Sequence, residues 1–185
     1  MVFSWRFRLP LLSSFTLCLL FSSFAHGEEM LLKTETKGPV VDGEVHNREY
    51  SFSYELQKMI LHLNRPTRKF NAALEAQTEG WVGIGFNSSV MNDAEILFGY
   101  FSDGKASYRE QVGKGRRHKD KELPWVKTVA LSESGGKTTL EIELDPEGVI
   151  DPGRDAVSII IAFGEEDSFN SYHKMRKGLT VQLKE

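Results

Sequence analysis

The chain has 185 residues, 40% of them hydrophobic and 26% charged, the balance of a polypeptide that buries one sizeable core. A formal net charge of −3 announces neither a nucleic-acid surface nor an acidic tail, and no cluster is basic enough to overrule that. Nucleic acid is excluded as an expected partner.

Arg6 and Arg8 precede an apolar run, Leu11 to Phe24, that closes on the small-residue pattern Ala25-His26-Gly27. This predicts a secretory signal peptide over 1–27, cleaved near Gly27, with one mature domain over 28–185. The run falls short of the ~20 residues that a membrane span needs and no second one follows, so the mature chain is expected to be secreted or periplasmic without a span. An uncleaved anchor is the alternative fate of the same pattern. Cleavage takes two arginines and no acid from 23 basic and 26 acidic residues, leaving a net charge of −5. The only cysteine, Cys18, goes with the signal, which rules out a disulfide, an iron–sulfur cluster, a thiolate zinc site or covalent haem attachment in 28–185.

The mature sequence reads as short strands punctuated by turns. Leu31 to Thr36 is followed by Lys37-Gly38-Pro39, and Val40-Val41 by Asp42-Gly43. Further strands are predicted at Tyr50 to Tyr54 and Met59 to Leu63. From Phe70 to Thr78 the apolar residues alternate with polar ones, the period of a half-buried strand. Trp81 to Phe86, Ile96 to Phe101 and Lys105 to Gln111 come next, the last two joined by Asp103-Gly104 as a hairpin. Val126 to Leu131 precedes Gly135-Gly136. Thr138 to Leu144 again alternates, with Thr139, Glu141 and Glu143 on the polar side. Val157 to Phe163 is apolar on both faces, as a central strand would be. Leu179 to Leu183 is the last. About ten closely spaced strands and no helical period predict an all-β, immunoglobulin-like, two-sheet antiparallel β-sandwich.

No phosphate-cradling loop, nucleophile elbow or paired-histidine helix motif occurs, and no catalytic residue is assigned. His46, His62, His118 and His173 lack the close spacing that announces a metal site. The informative stretch is Gly80 to Ile96, in which three glycines interleave with Trp81, Val82, Ile84 and Phe86 before a loop delivers Met91. A glycine-rich strand marks a bulge or a close approach by a ligand or another backbone. Taken singly, Met91 also suits a gap filler in the core. The run Lys114 to Lys121 is the one marked basic patch; it suits an acidic redox partner, ligand carboxylates or a merely solvated loop.

In combination, Gly80-Trp81-Val82-Gly83-Ile84-Gly85-Phe86, Met91-Asn92-Asp93-Ala94-Glu95, Ala162-Phe163-Gly164 and Tyr172-His173 resemble the DOMON family, as do Val41-Asp42-Gly43, Arg48-Glu49-Tyr50 and His118-Lys119-Asp120. The resemblance is to its haem-binding cytochrome type, similar to the cytochrome domain of cellobiose dehydrogenase. It implies non-covalent haem b with Met91 and His173 as axial ligands, and electron transfer to a redox partner protein with no catalytic activity of its own. Two axial ligands leave no open position for oxygen, and methionine tends to raise the potential. Trp81, Phe86, Ile96 and Phe98 are the expected apolar walls, and Arg176 is an expected partner for the propionates. Glu95 in place of the commoner aspartate, and the spacing from His173 to Gly178, depart from the family pattern. The alternatives are a haem-free module binding carbohydrate or another cell-surface ligand, and a metal-dependent oxidoreductase using His118 and His173.

Overall fold

A computed structural model describes residues 30–151 and 153–184; the expected signal segment lies outside the described residues. Twelve strands and one short 3-10 turn, Pro146–Gly148, make up the secondary structure of the described residues. The strands are β1 Leu31–Glu35, β2 Phe52–Leu56, β3 Met59–Pro66, β4 Phe70–Ala76, β5 Val82–Phe86, β6 Glu95–Ser102, β7 Lys105–Lys114, β8 Arg117–Asp120, β9 Val126–Ser134, β10 Lys137–Leu144, β11 Ala156–Phe163 and β12 Met175–Lys184. Within them no helix is long and apolar enough to cross a membrane.

The protein is an all-β sandwich, as the strand pattern predicts. One layer runs β8-β7-β6-β5-β11-β12 and the other β3-β4-β10-β9, with β2 alongside β3. All pairings are antiparallel except those of β1. That strand joins the layers, pairing parallel with β12 through Leu31 to Lys33 and with β3 through Thr34 and Glu35. Val40 and Val41, expected in a strand, lie in irregular chain, whereas part of the basic run becomes β8, hairpinned to β7 around Gly115.

The main core lies between the layers. Val82, Ile84 and Phe86 of β5 and Val157, Ile159, Ile161 and Phe163 of β11 meet Leu61, Leu63, Phe70, Leu74, Leu140 and Ile142 from the opposite layer. Strand alternation sends the remaining residues of β5, β6 and β11 to the outer face. There Trp81, Ile96, Phe98 and Ile160 form a second apolar cluster. The first layer is therefore apolar on both sides, so something must cover its outer face.

The second layer departs from the sequence expectation. Asn71, Ala73 and Glu75 of β4 and Thr139 and Glu141 of β10 sit on the polar side of alternating strands, yet all are buried. The cover is the segment 37–50. Glu141, fully buried, accepts hydrogen bonds from the Asp42 and Gly43 amides at 3.0 and 2.7 Å and from the Tyr50 hydroxyl at 2.7 Å. Asn64 donates to the carbonyls of Lys37 and Glu49. Beside them Ser53, His62 and Glu75 are linked at 2.8 and 3.1 Å, and Lys137 closes on the far oxygen of Glu75. Burial raises the pKa of Glu141, partly offset by its three donors.

Glu141→Ala, which leaves three donors without their acceptor, should lower the unfolding free energy by about 3 kcal/mol in urea titration. Glu75 behaves differently: its hydrogen bond from His62, helped by Lys137, holds its carboxyl below the ordinary value. A depressed folded-state pKa gives stability that is present above the ordinary carboxyl value and is lost as pH falls through the lowered one. Glu75→Gln should thus cost stability near neutrality and flatten the acid limb of the curve, measured as denaturation midpoint from pH 7 to pH 3.

Candidate functional site

The outer apolar face of the first layer floors a cavity of about 940 Å³. Trp81, Ile96, Phe98, Ile160 and Ala162 rise from the strands, and Phe169 folds over from the β11–β12 loop. Phe98 stands edge-on to Trp81 at 5.7 Å and to Phe169 at 5.1 Å, the interlocking that aromatic quadrupoles favour.

Two loops reach this floor from opposite ends of β5. The loop that carries Met91 leaves β5 after Phe86. The loop that carries His173 leaves β11 after Phe163, which pairs with Val82 at the other end of β5. Both side chains line the one cavity.

Each loop is tied down by contacts that the motif residues supply. A Cβ on Gly113 of β7 would sit 1.7 Å from the Met91 carbonyl oxygen, and one on Gly178 of β12 would sit 1.9 Å from that of Ser89. The Met91 loop therefore lies across two strands that only glycine lets it approach. Asp93, with φ near +62°, donates its amide to the Gly113 carbonyl at 2.9 Å and pairs with Lys114 at 2.7 Å, while Gly113 donates to the Ala94 carbonyl. Glu95 accepts from Asn87 at 2.7 Å and pairs with Lys121, so glutamate at this position is an anchor. At the other end Trp81 holds the His173 loop. Its indole donates to Ser171 at 2.9 Å and lies against Gly164, whose amide donates to the Trp81 carbonyl at 2.9 Å.

His118 lines the same cavity from β8, its ring edge-on to Phe98. Gln111 donates its amide NH₂ to the Asp120 carboxylate at 2.6 Å, which turns its carbonyl towards His118 Nδ1 at 3.0 Å. A carbonyl only accepts, so His118 carries its proton on Nδ1 and leaves Nε2 bare. Burial, and then the nearby charge of His173, lowers the His118 pKa; burial and Arg176 lower that of His173. Both shifts favour the neutral imidazole, the form that binds metals.

The rim is cationic. Arg109, Arg116, Arg117, Lys119 and Arg176 line it against Asp120 alone, and among the described residues none of the five pairs with a carboxylate. Arg109 lies 4.4 Å above the Phe169 ring.

Of the expected site residues, the structure brings Met91, His173, Trp81, Ile96, Phe98 and Arg176 together. Phe86 is the exception. It shares parity with Val82 and Ile84, points into the main core, and stands edge-on to Phe70 at 6.2 Å and Trp125 at 5.8 Å. Sequence reasoning missed Ile160, Phe169, Arg109 and Gln111. The both-face hydrophobicity of β11 hinted at Ile160, but nothing marked Phe169, a lone loop aromatic.

No family model matches the chain, and no curated protein matches it in sequence. Solved structures do match in fold. The chain is similar to the cytochrome b domain of pyranose dehydrogenase from Coprinopsis cinerea (TM-score 0.55, 11% identity, covering 67% of this chain and 76% of that one). It is similar to the cytochrome domain of Myriococcum thermophilum cellobiose dehydrogenase (0.53, 11%, 72% and 81%). It is also similar to a family 9 carbohydrate-binding module of Caldicellulosiruptor kristjanssonii in complex with cellotriose (0.53, 12%, 83% and 93%). The fold is thus shared by cytochrome domains and carbohydrate-binding modules.

Two substitutions separate the core from the cavity. Phe86→Ala should cost about 3–5 kcal/mol of stability while leaving the cavity-lining methionine and histidine resonances in place; Phe98→Ala should move both sets. Gly113→Ala should displace the Met91 loop, seen as a shift of the Met91 methyl resonance while that of Met59 in the main core stays fixed.

Proposed function

We propose that the chain is an extracytoplasmic haem-binding domain of the DOMON type that transfers electrons and performs no substrate chemistry of its own. The observation that carries this reading is the delivery of Met91 and His173 into one apolar, cation-rimmed cavity from opposite ends of β5. A thioether and a neutral imidazole are a donor set suited to low-spin haem iron. Bound there, haem b would supply a one-electron couple. The chain's own part is to hold it: Met91 and His173 as ligands, Trp81, Ile96 and Phe98 as walls that exclude water, and Arg176 and Arg109 as partners for the propionates. The anchors hold the backbone of both loops in place, which favours a defined placement of Met91 and His173 over an adaptable one.

Carbohydrate binding is the second reading, favoured by the family 9 similarity and by Tyr172, which is 91% exposed at the cavity mouth and presents a ring for stacking. The rim argues against it for a neutral glycan, because five cations that pair with no carboxylate among the described residues are ill matched to a ligand without charge.

Titrating purified protein with haem b should give near-stoichiometric uptake and sharp low-spin bands in both oxidation states. Met91→Ala should lower the reduction potential, since thioether favours ferrous iron, and His173→Ala should weaken retention more severely. Met175→Ala is the control: Met175 packs against the main core and should leave the spectrum unchanged. Absence of uptake, with binding of cello-oligosaccharides by calorimetry, would move the assignment to the carbohydrate reading.

A further inference from the structure

The basic run divides into two parts that do different things. Lys114 and Lys121, at its ends, are neutralised by Asp93 of the Met91 loop and by Glu95 at the start of β6. Arg116, Arg117 and Lys119, between them, are exposed, line the cavity mouth and pair with no carboxylate among the described residues. Arg176 adds a fourth exposed cation from β12, beside His173. One exposed aromatic residue stands at the same opening: Tyr172, 91% exposed, next to His173. The whole chain carries a net −3, so this concentration of positive charge runs against the overall balance.

We propose that the cavity mouth is a docking surface for an acidic electron-carrier protein, with Arg116, Arg117 and Lys119 of the β7–β8 hairpin as its charge cluster and Tyr172 as its apolar contact. The proposal rests on the haem reading, because the two propionates of a bound haem would neutralise only part of the five-cation rim and leave a net positive face. Opposite charge across such a face steers encounter and sets orientation. Tyr172 supplies apolar contact area beside His173. Haem bound behind this face would supply a one-electron couple, so that a seated partner would be reduced by one electron as the haem was oxidised by one, or the reverse.

The probe is a plant-type two-iron ferredoxin, a small acidic one-electron carrier, with mitochondrial cytochrome c as a basic counterpart of similar size. Association is followed by amide chemical shifts, in protein without haem as well as after haem loading. Ferredoxin should shift resonances of 115–119 and 171–176. Its affinity should fall about tenfold or more as ionic strength rises from about 20 to about 200 mM. The triple variant Arg116→Glu, Arg117→Glu, Lys119→Glu should abolish the shifts, and Tyr172→Ala should weaken association without changing its salt dependence. Equal binding of cytochrome c, or a triple variant that still binds ferredoxin, would overturn the proposal. So would capture of phosphatidylserine vesicles that is lost in the triple variant while ferredoxin fails to bind, which would make the face a membrane surface. Failure of haem uptake in the separate titration would sink the cytochrome reading, whereas loaded protein indifferent to these charges would sink the docking surface alone.

Discussion

The constraint on which everything else depends is that β5, β6 and β11 are apolar on both faces. One face is spent on the sandwich core, where Ile84, Phe86, Ile159 and Ile161 meet the opposite layer. The other cannot face water without a large penalty, since each buried side chain of this kind contributes roughly 1.5–3 kcal/mol. Among the described residues no third layer of strands covers it. Two loops and a hairpin do so instead, and they cover it incompletely, leaving a cavity with an apolar floor and charged edges. The cavity is thus a consequence of strand composition before it is a property of any motif.

The second layer solves its outer face by the opposite means. Its outward residues are polar, and the segment 37–50 buries them under hydrogen bonds centred on Glu141. This gives a physical role to the Asp42-Gly43 and Tyr50 residues of the opening motif: two amides and a hydroxyl converge on one carboxylate from a distant strand. The two layers therefore divide the labour, one faced with a closed polar network and the other with an open apolar floor.

This division explains what could be read from the sequence. The strands were legible because period-two alternation and turn dipeptides are local signals, and β5 and β11 were legible as central because they do not alternate. The burial of Glu75 and Glu141 was not, because a polar residue at period two looks the same whether solvent or a strap of chain covers it. Phe86 was misplaced among the cavity walls for a related reason: the motif suggests a cluster, whereas parity puts Trp81 and Phe86 on opposite faces. Met91 and His173 were legible as residues, but their arrival from opposite ends of β5 depends on strand order, and no local pattern encodes that. Phe169 and Arg109 left no signal, since their stacking joins a loop to a strand far away in sequence.

The fold by itself is indifferent between haem and sugar, because both kinds of protein share it. What separates the readings is side-chain chemistry, and here one loop couples two features on which the proposed haem reading rests. The backbone of 91–94 lies on Gly113 and sets the position of Met91. The carboxylates of Asp93, on the same loop, and of Glu95, where that loop enters β6, pair with Lys114 and Lys121 on either side of β8. Arg116, Arg117 and Lys119 are held between those pairs. The sulfur donor and the cationic rim are therefore not independent parts of the surface; a displacement of the loop moves both. A site that only stacked a neutral ring would have no need of that coupling, whereas the proposed haem site, which would hold an amphipathic dianion by its centre and its charged edge, would use it.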